Sequence, residues 1–173
     1  MATLLISCKS SLVTFQTSDP QKVGVKSAKF RGTAFDSSYS NEKLFLPATF
    51  TLKKFTPTKQ DIALAEQILK QQIEKANHRR MNQFGRKQYI HRNLNKYFRQ
   101  YAGFINENGE RVVHINLYWD RYSVFDRIKG YWDDRLHFTS DYTVVMDGGS
   151  RYWNVNVNLT TKTLYNLAVN GVA

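Results

Sequence analysis

Side chains able to do acid–base, metal or nucleophilic chemistry are few and scattered in this 173-residue sequence. The histidines are His78, His91, His114 and His137, and none sits in an HExxH, a two-His/carboxylate spacing or a Cys/His cluster. No metal centre is therefore signalled. Asp120, Asp126, Asp133 and Asp134 could supply a carboxylate pair for proton transfer. They alternate with Arg121, Arg127, Lys129 and Arg135, however, a pattern of solvated ion pairs in a loop. Cys8 is the single cysteine; it has no neighbouring basic activator, and it excludes any disulfide within the chain. Asp147-Gly148-Gly149-Ser150 reads as a hairpin turn rather than a phosphate cradle, because strands flank it and no helix follows. G-x-S-x-G, Walker and dinucleotide-binding motifs are absent. The expectation is a protein that is not an enzyme and carries no cofactor.

Charge is more informative than chemistry. The formal net charge is +11, and Lys53–Arg99 holds twelve basic residues against three acidic ones, a local net of +9. Arg79, Arg80, Arg86, Lys87, Arg92, Lys96 and Arg99 interleave with Phe84, Tyr89, Tyr97 and Phe98, and Tyr101 follows. Arginine forks onto carboxylates and phosphates, and aromatic rings stack on bases. This segment is a candidate surface for an acidic protein partner, or for nucleic acid. A second candidate is a polar sheet face. If Trp153, Val155, Val157 and Leu159 point inward, then Tyr152, Asn154, Asn156 and Asn158 point outward. Asparagine is a poor strand former, so its alternation on one strand is unexpected. His114, Asn116 and Tyr118 extend the same face, whose amides and phenols suit a polar ligand.

These residues must be held by an α+β framework. Thr56-Pro57 and the capping box Thr58-x-x-Asp61 compete to start a helix, along which Ile62, Ala65, Leu69, Ile73 and Ala76 recur at helical spacing. It ends within residues 77–85, and a short second helix is expected around 86–96. The period then changes to two. Residues 97–105 and 110–119 flank Asn106-Glu107-Asn108-Gly109, a strong hairpin signal. A second hairpin pairs 142–146 with 151–159, and a last strand covers 164–169. The expected fold is one main helix on a four-stranded antiparallel meander, residues 56–173. Residues 1–55 form an irregular N-terminal extension with short strands at 3–7, 12–15 and 44–55.

With 42% hydrophobic and 14% aromatic residues, the chain can bury a core without staples. No apolar run approaches the roughly 20 residues of a membrane span. Residues 1–35 hold one acid, five bases and nine Ser/Thr residues, a composition shared with organellar transit peptides. The segment is nonetheless expected to be structural. A secretory signal fits worse, since the apolar stretch stops at Ser7. A cytoplasmic or virion-associated location is expected.

The hairpin at 103–119 and the ending Asp147-Gly148-Gly149-Ser150-x-Tyr152-Trp153 … Val169-Asn170-Gly171-x-Ala173 resemble small proteins of cystatin-like or NTF2-like shape. The resemblance covers residues 56–173, and its motifs are turn and strand residues that speak to fold. Folds of this shape host inhibitors, enzymes, carriers and adaptors. The expected function is a non-catalytic structural or interaction protein docking on an acidic partner or within a larger assembly, a virion component or an inhibitor or immunity-type protein. Self-association is compatible with this. The alternatives are a nucleic-acid-binding module using the 79–99 segment, and an NTF2-like enzyme or small-ligand carrier.

Overall fold

Two local signals compete at the start of the helix, and the reciprocal one wins. The computed structural model, which describes residues 12–39, 53–120, 128 and 141–172, places helix α1 at Lys59–Ala76 with Thr58 as its N-cap. Thr58 Oγ1 accepts from the Asp61 backbone N–H at 3.1 Å, and the Asp61 carboxylate accepts from the Thr58 N–H at 2.9 Å. This satisfies donors that the first turn cannot pair internally. Pro57 is left outside the helix. Ile62, Ala65, Ile68, Leu69 and Ile73 form the buried stripe, while Ala76 at the last position is exposed.

The strands are β1 (Val13–Gln16), β2 (Lys22–Lys26), β3 (Arg31–Phe35), β4 (Lys54–Phe55), β5 (Tyr97–Ile105), β6 (Arg111–Trp119), β7 (Tyr152–Asn158) and β8 (Thr163–Val169). They form one mixed eight-stranded sheet in the order β1-β2-β3-β5-β6-β7-β8, with β4 also on β5. This overturns the expected four-stranded meander with an irregular extension. The antiparallel run β5–β8 is present, but β1–β4 continue the same sheet from the edge of β5. Residues 142–146 pair with no strand, so the second expected hairpin is also corrected.

The N-terminal strands attach because one edge of β5 is shared. β3 runs parallel to it, Gly32 opposite Arg99 and Ala34 opposite Tyr101; β4 runs antiparallel, Phe55 opposite Gly103. A parallel pair needs a long crossover, and the path through α1 supplies it. Both contacts use glycine for close approach. A Cβ on Gly32 would lie 2.5 Å from the Arg99 carbonyl oxygen, and one on Gly103 2.4 Å from that of Phe55.

Between α1 and the sheet lie Tyr97, Tyr101, Val113, Ile115, Leu117, Trp153, Val155 and Val157, each at most 1% exposed. One charge sits in this layer. The Arg99 side chain, 2% exposed, donates from Nε to Glu66 Oε1 at 2.8 Å and to the carbonyls of Tyr97 (2.7 Å) and Leu94 (2.9 Å). Its guanidinium also lies over the Phe30 ring at 4.1 Å. Glu66 Oε1 additionally accepts from the Tyr101 hydroxyl at 2.8 Å. At the far edge, β8 carries a bulge: Asn154 pairs with Ala168 but Asn156 with Tyr165, and Asn166 takes a left-handed φ of 51°. Among the described residues no helix is long and apolar enough to cross a membrane.

The Arg99–Glu66 pair yields the first prediction. Removing one partner strands the other charge, so Glu66→Leu or Arg99→Met should each cost about 3–5 kcal/mol in urea denaturation. The double substitution should recover much of that loss. Additive losses would show that the two charges are not coupled.

Candidate functional site

The polar sheet face turns out to be an interior. On β6 and β7 the alternation runs as expected, with Val113, Ile115, Leu117, Trp153, Val155 and Val157 toward α1. The opposite side chains are buried too: His114 (1% exposed), Asn116 (9%), Tyr118 (1%), Asn156 (3%) and Asn158 (5%), with Tyr152 and Asn154 half-buried. Residues 141–145 and the aromatic group Phe35, Tyr39 and Tyr142 pack over them. The side chains bond the covering segment directly. Asn116 donates to the Thr143 carbonyl at 3.0 Å and to the Tyr118 hydroxyl at 2.6 Å. Tyr118 in turn shares its proton between Gln100 Oε1 (2.7 Å) and the Thr143 carbonyl. Gln100 donates to the Asp141 carbonyl at 2.6 Å, and Tyr39 donates to the Asp141 carboxylate. These side-chain bonds take the place of a backbone ladder for residues 141–143.

His114 lies at the centre of this layer. Its Nδ1 is 2.8 Å from Asn156 Oδ1 and its Nε2 is 2.9 Å from the Tyr142 hydroxyl. Burial pushes its pKa down to about 4, against a raising influence from Asn156. The same burial raises the Tyr118 and Tyr142 phenols, which stay protonated. Asn158 has a turn role, accepting from the N–H groups of Thr160 (2.9 Å) and Thr161 (3.0 Å) and donating to Glu110 at 2.8 Å. Among the described residues, a cavity of about 50 Å³ lies on this face beside Asn116, Tyr152 and Asn154. Organic ligands need roughly 300 Å³ or more. Asn116, Asn156 and Asn158 are engaged in bonds within the fold, while Asn154 is half-buried and lines this cavity.

The basic segment is a genuine surface, with one exception. Arg99 is buried on Glu66 and does not join it, because its place on β5 turns it toward α1. Arg79, Arg80, Lys87 and Arg92 are exposed and Lys96 is half-buried; the Arg86 side chain lies outside what the structure describes. The expected second helix is instead three short 3₁₀ turns, Arg86–Gln88, Ile90–Arg92 and Leu94–Lys96. Buried amides hold this arm. Gln83 exchanges two hydrogen bonds with Asn77 (2.8 and 2.6 Å) and accepts from the Ile90 N–H at 3.0 Å. Asn93 donates to the carbonyls of Lys87 (2.9 Å) and Tyr89 (2.8 Å). Arg80 and Asn82 both take left-handed backbone angles, which gives the arm its tight path.

The cations are ordered on rings rather than on carboxylates. Arg80 and Arg92 lie 4.5 and 5.5 Å from the Tyr89 ring centre, and Lys96 lies 5.3 Å from Trp119. By contrast, Lys22, Arg31, Arg99 and Arg111 each have a carboxylate partner. Among the described residues, Arg79, Arg80, Lys87, Arg92, Lys96 and Arg151 have none within 4.0 Å. His91, stacked on Tyr89, has its pKa lowered chiefly by burial despite Glu74 at 3.8 Å.

Beside this arm is a cleft of about 510 Å³ between the 82–88 segment, the 147–151 turn and Val172. Phe84, Lys87, Trp119, Gly148, Ser150, Arg151 and one acid, Asp147, line it. The turn is fastened by the Tyr97 hydroxyl on the Ser150 carbonyl (2.7 Å) and by the Gly149 N–H on the Gly171 carbonyl (2.8 Å). Gly148 has φ 88°, and a Cβ there would lie 2.5 Å from the Tyr152 ring. Trp119, Arg151 and Val172 come from segments far apart in sequence, so no local spacing could have marked the cleft. Among the described residues no group of His, Cys, Asp or Glu is placed to hold a metal ion. Cys8, His137, Asp126, Asp133 and Asp134 lie outside the described residues.

The buried histidine predicts a pH dependence. Between pH 6.5 and about 4 the unfolded chain binds a proton at this position and the native protein does not. Stability should therefore fall as pH drops through that window, by roughly 1.4 kcal/mol per pH unit at most, and be complete above it. In urea titrations at several pH values, His114→Gln should show a flatter slope between pH 6.5 and 4.5 than the native sequence. Parallel slopes would place the acid sensitivity elsewhere.

No family model matches the chain, and no curated protein or solved structure matches it.

Proposed function

We propose that the protein is a non-catalytic interaction protein that docks on an acidic partner, alone or within a larger assembly, through the arm at residues 79–96. One observation carries this reading. Among the described residues the arm's cations have no carboxylate within 4.0 Å, as holds for exposed lysines elsewhere, but here they are clustered and three of them are seated on aromatic rings. Cations fixed in place and not neutralised internally hold a positive potential that attracts an acidic surface. Buried amides at Asn77, Gln83 and Asn93 keep the arm in one conformation, which lowers the ordering cost of association.

An acidic protein face is favoured over nucleic acid by the state of the rings. Binding of single strands depends on aromatic faces open to bases. Tyr89 carries Arg80, Arg92 and His91, and Trp119 carries Lys96 with Tyr97 edge-on. Among the described aromatic residues of the arm Phe84 is thus the exposed one, and a single open ring gives no platform for successive bases.

The test uses poly-glutamate and an oligo-dT strand as probes, read by fluorescence anisotropy at low and near-physiological salt. Arg80→Glu with Arg92→Glu should weaken poly-glutamate binding by roughly tenfold and flatten its salt dependence. Lys53→Glu with Lys59→Glu makes the same change in net charge at the opposite end of β5 and of α1 and should have little effect. Equal losses from both pairs would reduce the arm to general charge. Oligo-dT bound more tightly than poly-glutamate near physiological salt would overturn the acidic-protein reading.

A further inference from the structure

The exposed apolar residues are unevenly placed. Phe84 (68% exposed) and Val172 (54%) line the 510 Å³ cleft, and Met81 (62%) and Met146 (84%) stand next in sequence to its lining residues Asn82 and Asp147. Two exposed apolar side chains facing one concavity, Phe84 and Val172, mark a binding surface more than isolated ones do. The same cleft is flanked by Lys87 and Arg151, neither of which has a carboxylate within 4.0 Å among the described residues. Hydrogen bonds tie its walls to the fold: Gln88 accepts from the Phe84 N–H at 3.1 Å, Asn82 donates to the Val169 carbonyl at 3.0 Å, and the Gly149 N–H donates to the Gly171 carbonyl. An apolar seat between two cations is complementary to an apolar side chain with acidic neighbours.

We infer that this cleft seats one aromatic or aliphatic side chain of an acidic protein segment, which lies across Lys87 and Arg151; the inference rests on the docking reading above and names what that partner must present. The charged arm supplies long-range attraction, and the cleft supplies selection. A segment carrying acids alone would be attracted without being anchored, because its carboxylates gain nothing from Phe84 and Val172. A segment with an apolar residue among its acids removes that residue and the cleft's apolar side chains from water together. Asp147 on one wall disfavours a carboxylate entering the cleft itself, and so places the acids at the rim.

Two labelled peptides test this, four glutamates on either side of one phenylalanine and the same peptide with serine in its place, with oligo-dT as a third probe. The phenylalanine peptide should bind the native protein roughly tenfold or more tightly than the serine peptide. Phe84→Ser should erase most of that preference and leave the affinity for the serine peptide unchanged. Phe84 is 68% exposed, so its replacement leaves the core intact. A methyl resonance of Val172 should shift on adding the phenylalanine peptide and not the serine one. Equal binding of both peptides would overturn the cleft inference while the docking reading stands. Failure of both peptides to bind, or oligo-dT binding more tightly than either, would overturn both.

Discussion

A single buried guanidinium ties the parts of this molecule together. Arg99 extends from the strand where the N-terminal and C-terminal halves of the sheet meet, and it reaches four separate pieces of chain. These are Glu66 on the helix, Leu94 in the arm, Tyr97 on its own strand, and Phe30 ahead of β3. Taking a charge out of water is expensive, and only a full set of partners offsets it. The helix must therefore dock with Glu66 at that point, the arm must end its last 3₁₀ turn there, and the N-terminal strands must come alongside. The position of the arm, and with it the exposed cations, follows from where Leu94 is held.

The sheet is used on both faces, in two different chemistries. The face under α1 is apolar apart from the Arg99 pair, while the other is built from amides, phenols and an imidazole closed over by residues 141–145. A fully satisfied polar layer is directional: it accepts one placement of the covering segment, because each donor needs its own acceptor. Apolar packing alone would be less selective. The price is sensitivity to protonation at His114. With both faces covered, recognition is left to the periphery, where the arm and the 147–151 turn meet.

Much of the framework was legible in the chain. The capping box at Thr58 and Asp61, the stripe Ile62–Ile73, the Asn-Gly hairpin and the alternation along β6 and β7 are local patterns, and local patterns survive in a sequence. The pairing of β3 with β5 is not local. Gly32 and Gly103 matter because of backbones that approach from other parts of the chain, and nothing beside them in sequence signals this. The same limit explains Arg99: its neighbours suggested one basic face, but strand alternation sends it to the opposite side from Phe98. The alternating asparagines of β7 are unusual for a strand, and the reasons lie in partners distant in sequence: Asn156 meets His114 on β6, and Asn158 meets Glu110 and the 160–161 turn. Gln83 and Asn93 carry no signal of their burial, since a lone amide in a polar stretch looks the same whether it is exposed or enclosed.

The bulge in β8 has a consequence for what this sheet does beyond the molecule. β8 is the last strand in the sheet order, and such a strand presents unpaired amide and carbonyl groups that invite another chain to add on. With Asn166 in a left-handed conformation, two residues oppose Val155 and the outer row of groups breaks step. A straight incoming strand can match the groups on one side of the break or the other, but not both. The bulge at Asn166, together with Gln72 accepting the Leu164 N–H, thus works against addition of a further strand along this edge.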